Sequence, residues 1–388
     1  MNYKINLPRI VHIGAGACSK ISQVLQELNC KKPFLVTDTM MVQLGYCKNV
    51  TSQLLENNIE TVVFADTVPE PTVSSVEAGL RAIQQEQYDC IIALGGGSPI
   101  DSAKAISILQ CYGGAMSDYK VPVQIENQGL PVIAIPTTAG TGSEATSVMV
   151  ITDELSGEKM LCMGSGLTPA AALVDYELTL SVPPRTTADT GIDSLTHAIE
   201  SYVSRKANPF TDSVALTAMQ TIFANIRTAC AEPDNREARA AMMLAATQGG
   251  IAFANASVTL IHGMSRPIGA LFHVPHGLSN AMLLPEVTAW SVDHAEGRYA
   301  QCARYMGIAQ EGDSDSTATS KLVEGLRQLN RDLSVPTPRA YGISESSWFD
   351  SLEMMAQQAL DSGSPANNPR VPESADIVAL YHQVWSAE

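Results

Sequence analysis

The segment HGMSRPIGALFHVPHG, from His262 to Gly277, concentrates side chains that bind metals or move protons. Three of the chain's seven histidines, His262, His273 and His276, fall within it. In one straight helix, the fourteen residues from His262 to His276 would span roughly 21 Å at about 1.5 Å each. Ligands of one ion sit about 2 Å from it, so the chain must fold back for both to share a metal. Pro267, Gly269 and Pro275 are residue types that permit such a reversal. Upstream, TGIDSLTHAIESY carries Asp193 and His197 four apart in a helical pattern, so both project from one face. Ile192, Leu195, Ile199 and Tyr202 form a neighbouring apolar stripe that presses this helix into a core. One carboxylate with up to three imidazoles makes a hard-to-borderline site suited to Fe(II) or Zn(II), with a coordination position left open. Any one of these histidines alone reads more readily as a hydrogen-bonded core or surface residue. The set of four groups points to a metal.

A second kind of chemistry is written in the first half. Gly95-Gly96-Gly97-Ser98 ends the apolar run CIIALG and precedes Pro99-Ile100-Asp101, where a helix begins. Glycines let the backbone approach a phosphate, and the free N–H groups of the helix start point at the anion. Pro99 suits that first turn, where its missing N–H is not needed. A second polar loop, Thr137-Thr138-Ala139-Gly140-Thr141-Gly142-Ser143-Glu144, follows the next apolar run. Two such loops at neighbouring strand ends line the crevice where open α/β sheets bind nucleotides. Asp38 ends the run FLVTD, where a carboxylate accepts hydrogen bonds from a ribose diol and repels a 2′-phosphate, favouring NAD over NADP. Singly these signals are weak, because GGGS also makes plain turns and strand-end aspartates also cap helices. Their order along the chain is much more telling. Gly14-Ala15-Gly16 lacks the third glycine of a dinucleotide fingerprint and reads as a turn.

These groups need a scaffold, and 388 residues are long enough for two domains. Candidate strands lie at 10–14, 34–38, 61–66, 90–95, 132–137 and 171–175, with helix-like segments such as MVQLGYCKNVTSQLLENN and TVSSVEAGLRAIQQEQ between them. Strands alternating with helices indicate βαβ units and a parallel sheet. From Pro183 onward helical periodicity takes over, as in 209–230, 235–255, 317–331 and 374–385. The expected fold is an N-terminal Rossmann-like α/β domain over 1–182 and an all-helical domain over 183–388, joined at Val182-Pro183-Pro184. Residues 362–373 form a loop rich in Pro and Asn before the last helix.

Hydrophobic residues make up 45% and charged residues 16%, which describes a globular chain. A net charge of −16 argues against nucleic acid and anionic membrane surfaces as partners. Eight cysteines without a CxxC pair fit free thiols in a reducing compartment. Ala240 to Ser265 carries no charged residue, yet Gln248, Asn255, Gly249-Gly250 and His262 suit a buried helix pair better than a membrane span. The N-terminus shows no apolar signal core, and the expected location is cytoplasmic.

The motifs GGGSPIDSAK, TTAGTGSE, GIDSLTHAIE and HGMSRPIG…VPHG, in that order, together with NNPR at 367–370, carry a resemblance over about residues 8–385. The sequence resembles the iron-containing (group III) alcohol dehydrogenases, the family that includes lactaldehyde reductase and propanediol dehydrogenases. The resemblance implies a dehydroquinate synthase-like architecture with a metal in the cleft between two domains, and a homodimer. It implies Fe(II), with Zn(II) able to use the same ligands, held by Asp193, His197, His262 and His276. Implied NAD contacts are Asp38, Gly96, Gly97, Ser98, Thr137, Thr138, Thr146, Lys159 and Leu178. The implied reaction interconverts a small primary alcohol and its aldehyde, with the ion as Lewis acid and hydride exchanged with the nicotinamide. Relatives commonly carry a histidine four residues after the first histidine of this segment; here that position is Arg266. A guanidinium stays protonated and cannot relay a proton. Two roles follow as hypotheses: His273 takes over the relay, and Arg266 binds an anionic group on the substrate. Their plainer alternatives are a packed loop residue and a structural ion pair. Rival readings are a glycerol dehydrogenase-like or dehydroquinate synthase-like enzyme, a metal-free maleylacetate reductase-like enzyme, a catalytically silent NAD- or metal-binding scaffold, and a metal-dependent hydrolase. Retention of all four ligands and of the dinucleotide loops disfavours the metal-free reductase and the hydrolase.

Overall fold

The apolar runs of the first half become one parallel sheet in the computed structural model, which describes residues 2–387. In chain order the strands are β1 (Ile10–Ile13), β2 (Pro33–Val36), β3 (Val62–Phe64), β4 (Cys90–Gly95) and β5 (Val132–Pro136), then a hairpin, then β8 (Ala171–Val174). They lie in the order β1-β8-β5-β4-β2-β3. Strands β2, β4, β5 and β8 are buried throughout, as continuous apolar runs are when both faces are covered. The hairpin, β6 (Val148–Asp153) and β7 (Glu158–Met163), is antiparallel and was not anticipated from the sequence. It carries Lys159.

Five helices cover this sheet: α1 (Ile21–Glu27), α2 (Thr39–Gln43), α3 (Tyr46–Glu56), α4 (Val73–Ile83) and α5 (Gly97–Tyr112). The helix expected across MVQLGYCKNVTSQLLENN breaks at Gly45, whose φ of 79° is left-handed and ends α2 before α3 begins. Alternate strand residues face opposite ways. Leu35, Ile92 and Leu94 pack under α1 and α3, while Phe34, Val36, Ile91 and Ala93 pack under α4 and α5. The helices following β2 and β4 therefore lie on opposite faces, and the winding direction reverses between those two strands. That reversal opens a crevice at their carboxyl ends, where Asp38 and the glycines sit.

The chain forms two compact units that part at Ser181–Val182, and the second is helical. Its elements are α6 (Pro184–Val203), α7 (Pro209–Ala231), α8 (Arg236–Ala256), α9 (Leu260–Phe272), α10 (His276–Ser291), α11 (Glu296–Tyr305) and α12 (Asp315–Asp332), followed by α13 (Pro338–Tyr341), α14 (Glu345–Asp350), α15 (Leu352–Asp361) and α16 (Ser374–Ser386). Pro184 opens α6 at a position that needs no N–H. From Gly191 to Val203 every residue of α6 is buried, Asp193, His197 and Glu200 included. Buried polar groups have to find partners, so this helix dictates what surrounds it.

No single helix among the described residues is long and apolar enough to cross a membrane; α8 and α9 pass that test only as a pair bent by 106°. Of the three residues expected to permit the reversal that brings His276 back toward His262, only Pro275 stands at it. Pro267 and Gly269 do not break the chain: both lie inside α9, whose buried face offsets the backbone bond that Pro267 forgoes. The turn is confined to 273–275, where His273 takes a left-handed conformation (φ 54°) and Pro275 leads into α10. The loop before α16 is tied down: Asn367 Nδ2 donates to Ser257 Oγ (3.0 Å) and Val258 O (3.3 Å), and Asn368 Nδ2 to Ser291 Oγ (3.0 Å).

Candidate metal centre and cofactor-binding edge

Asp193 and His197 lie one turn apart on α6, His262 on the first turn of α9, and His276 is the first residue of α10. Their ring nitrogens converge on one oxygen. Asp193 Oδ1 is 3.5 Å from His262 Nε2, 3.7 Å from His276 Nε2 and 3.8 Å from His197 Nε2. These separations are too long for hydrogen bonds. They match the edge of a tetrahedron with ligands about 2.1 Å from its centre, roughly 3.4 Å. Asn280 Nδ2 stands among them, 2.6 Å from Asp193 Oδ1, 3.2 Å from His262 Nε2 and 3.3 Å from His276 Nε2. Several acceptors thus gather around one donor, as they would around a cation. Three of the four side chains are at most 5% exposed, whereas His276 is 38% exposed, so the cluster is approached past His276. Gly277 permits the close approach of α10 to α6, since a Cβ there would collide with the Asp189 backbone.

Glu200, one turn beyond His197, orients this set. Its Oε1 accepts from Thr259 Oγ1 (2.7 Å) and Ile261 N (2.7 Å), and its Oε2 lies 2.5 Å from His262 Nδ1. A carboxylate at Nδ1 fixes the tautomer that leaves Nε2 free to ligate. The His197 ring stacks on Phe253 (4.2 Å between centroids) and His262 (4.6 Å), which fixes its plane. Burial alone would raise the Asp193 carboxyl, but the charges of His197, His276 and His262 outweigh it and hold it low. Burial would likewise lower His262, but Glu200 and Asp193 push it up to about 9. Two buried carboxylates make this a place that holds positive charge, which is what a dication requires.

At the carboxyl edge of the sheet, Gly95 has φ 146°, and a Cβ there would meet Pro99 Cγ at 2.6 Å and Asp38 Oδ2 at 3.4 Å. Gly96 caps α5, and a Cβ on it would lie 3.4 Å from Thr138 Oγ1. That buried hydroxyl has no hydrogen-bond partner among the described residues, so the cradle fits an acceptor such as a phosphate oxygen. Asp38 Oδ1 accepts from Met41 N (2.9 Å), so it also caps α2. Ser98 Oγ accepts from Glu70 N (3.1 Å), and Glu70 pairs with Lys159 at 2.7 Å. Lys159 is therefore a partnered side chain, 8% exposed, rather than a solvated one. Thr137 N donates to Gly95 O (3.0 Å), joining the two loops, and Leu178 packs on the core beneath.

Lys104, in the GGGSPIDSAK motif but not singled out from the sequence, holds the second loop. Its buried Nζ donates to Ser143 Oγ, Thr146 O and Thr146 Oγ1 at 3.1 Å each, and to Val148 O at 2.7 Å. Asp101 secures the same loop, accepting from Ser143 Oγ (2.6 Å) and Val150 N (3.0 Å). Burial pulls the lysine down to about 8 against the opposing pull of Asp101 and Glu144. Glu200 and Asn280 were also missed. Only the spacing of Glu200 from Asp193 and His197, seven and three residues along one helix, could have signalled it.

Arg266 follows His262 by one turn on α9. Its Nη1 donates to Ser364 Oγ (3.0 Å), and it makes no ion pair with a carboxylate among the described residues. Burial lowers its guanidinium to about 10, with Glu200 opposing, so it stays charged at neutral pH. His273 is exposed, and its carbonyl accepts from Tyr341 Oη (3.3 Å).

The model of the family "Iron-containing alcohol dehydrogenase" matches residues 8–176, and that of "Fe-containing alcohol dehydrogenase family, C-terminal" matches residues 187–385. The NAD-dependent methanol dehydrogenase of Bacillus methanolicus is 34% identical over 375 residues, covering 96% of this chain and 97% of that protein. The crystal structure of a 1,3-propanediol oxidoreductase superposes with a TM-score of 0.94 at 33% identity, covering 99% of this chain and 100% of the other. That of sulfoacetaldehyde reductase from Bifidobacterium kashiwanohense in complex with NAD+ superposes with a TM-score of 0.89 at 29% identity, covering 100% of both. Matches spanning nearly the whole chain, over a sheet edge and a helical cluster of this geometry, establish that it belongs to the iron-containing alcohol dehydrogenase family.

Proposed function

We infer that this chain is an iron-dependent, NAD-linked alcohol dehydrogenase and aldehyde reductase whose ion is held by Asp193, His197, His262 and His276. The observation that carries the ligand assignment is the convergence of three imidazole Nε2 atoms at 3.5–3.8 Å on Asp193 Oδ1. Asn280 Nδ2, now among these ligands, would have to turn aside for them to hold an ion. Bound in place, iron supplies Lewis acidity toward the alcohol or aldehyde oxygen, and the nicotinamide exchanges the hydride. The residues of the chain bind and orient. Gly96, Gly97 and Ser98 at the start of α5, with Thr137, Thr138 and Thr146, receive the dinucleotide; Asp38 takes the ribose, while Lys159 and Leu178 flank it. Lys159 does so as half of its pair with Glu70.

Arg266 reads an anionic group on the substrate in this reading. It is a charge one helical turn from His262, held by a single hydroxyl acceptor and without a carboxylate partner among the described residues. The similarity to a sulfoacetaldehyde reductase supports this reading, since that enzyme's name points to an anionic aldehyde. His273 carries the proton between cluster and solvent. The free thiols fit a reducing cytoplasm, and a homodimer is the assembly the family resemblance implies. The test is an anaerobic assay of Fe(II)-loaded and chelator-stripped protein, following NADH against neutral and anionic short aldehydes. Metal-dependent turnover is expected. Arg266→Ala should cost anionic aldehydes at least about tenfold more in kcat/KM than neutral ones, the loss of a charge-assisted bond of about 1.5–3 kcal/mol. Equal loss for both sinks the anion role, and no turnover by the loaded protein sinks the enzymatic reading.

A further inference from the structure

Two groups of metal-binding side chains are compact enough to share an ion among the described residues. One contains Asp193, His262 and His276; the other is Cys30, Asp89 and Cys90, whose two sulfurs and one carboxylate oxygen all lie within 4.8 Å of one another. We propose that Cys30, Asp89 and Cys90 form a second, sulfur-rich site for a soft divalent cation of the zinc–cadmium type.

The site is built by strand adjacency. Cys30 precedes β2, Cys90 opens β4, and the two strands pair so that Pro33 stands opposite Cys90. Asn29, left-handed at φ 59°, turns the chain so that Cys30 points back into the core beside β4. The Asp89 carboxylate is held by Lys31 N (2.7 Å) and Lys32 N (2.9 Å), which fix it over the same spot. Tetrahedral coordination with metal–sulfur bonds of about 2.3 Å puts two thiolates roughly 3.8 Å apart, so this cluster closes on an ion with small movements. Two thiolates and one carboxylate select a soft or borderline cation over Mg(II) or Ca(II), and differ in kind from the carboxylate–imidazole set on α6, α9 and α10.

The site stands at the amino ends of β2 and β4, while Asp38 and the glycines stand at their carboxyl ends. Five residues of strand from Cys90 to Gly95 make that about 16 Å. Occupancy therefore clamps β2 to β4 without entering the dinucleotide crevice. The Cys30 thiol donates to Leu28 O (3.6 Å) and Asp89 O (4.0 Å). A cation takes that proton's place, so binding releases protons and tightens as pH rises.

The test is an anaerobic titration of the pre-reduced iron enzyme with Cd(II), read by thiolate-to-cadmium charge-transfer absorption. The α6–α10 cluster contains no sulfur and is silent in that band. Saturation near one equivalent is expected, unaffected by Cys111→Ser, which removes an exposed thiol. Cys30→Ser should abolish the band or weaken binding about 100-fold or more, exceeding the 10–100-fold typical of outer-shell changes. Asp89→Asn should keep the band and weaken binding about tenfold or more. Cys90 is fully buried, so Cys30→Ser decides the matter if Cys90→Ser fails to fold. No band in the folded wild type, or an unchanged band in Cys30→Ser, overturns the proposal.

Discussion

Replacing Glu200 with Gln isolates the carboxylate that orients His262. In the native chain it satisfies three donors, Thr259 Oγ1, Ile261 N and His262 Nδ1, at 2.5–2.7 Å. Glutamine keeps the shape but offers one oxygen and an NH2 group, so at least one of those donors faces another donor. The lost charge-assisted bond is worth about 1.5–3 kcal/mol. Part of that appears as lower stability and part as weaker ion binding, because His262 no longer has its tautomer fixed. Removing an outer partner of a ligating imidazole costs about 10–100-fold in metal affinity, or about 1.4–2.7 kcal/mol. Competition with a chromophoric Fe(II) chelator under anaerobic conditions measures the affinity, and thermal unfolding of metal-free protein measures the stability separately. Saturating Fe(II) should restore most of kcat, with aldehyde KM little changed, since Glu200 touches no reacting atom. A folded variant with unchanged metal affinity, or one whose activity saturating Fe(II) does not restore, refutes the orienting role.

Other perturbations test the sheet edge and the turn. Lys104 falls from 10.5 in the unfolded chain to about 8 when folded, so between those values the unfolded state holds the extra proton. Its contribution to stability should rise with pH across that window by about 3 kcal/mol, and the wild-type minus Lys104→Met difference in urea unfolding should show it. A flat or falling difference contradicts the burial of a charged lysine. Gly95→Ala forces a Cβ into Pro99 at 2.6 Å in a backbone conformation that alanine avoids. A loss of about 1–3 kcal/mol in stability and weaker NADH binding by fluorescence are expected; wild-type behaviour in both would remove the glycine requirement. His273→Asn keeps a residue that tolerates the left-handed turn while deleting the imidazole. The pH–rate profile should change, and an unchanged profile ends the relay role.

How much of this was legible depended on how far apart in sequence the cooperating residues lie. The strands were readable because apolar runs such as CIIALG are local, and Asp193 with His197 because one helical turn places them together. The hairpin β6–β7 was missed although VMVITD is itself an apolar run, because a regular alternation of strands and helices leaves no place for two further strands between β5 and β8. Of the three residues expected to permit the reversal, Pro275 stands at it, whereas Pro267 and Gly269 do not, because the burial of Leu260–Ser265 and Pro267–Gly269 carries α9 through them. Glu200 reads as an ordinary solvated charge until α8 ends at Ser257 and Thr259, Ile261 and His262 arrive beside it.

Cys30 and Cys90 make the same point more sharply. Their proximity requires β4 to lie next to β2 although β3 intervenes in the chain, and a list of strands does not supply strand order. That order also sets Asp38 against Gly95 at the other end of the same two strands. One crossover past β3 thus builds both the crevice for the dinucleotide and the thiol pair beneath it. A cation bound to the sulfurs would therefore stiffen the strand pair proposed to carry the cofactor, which makes NADH affinity with and without Cd(II) the natural companion to the absorption titration.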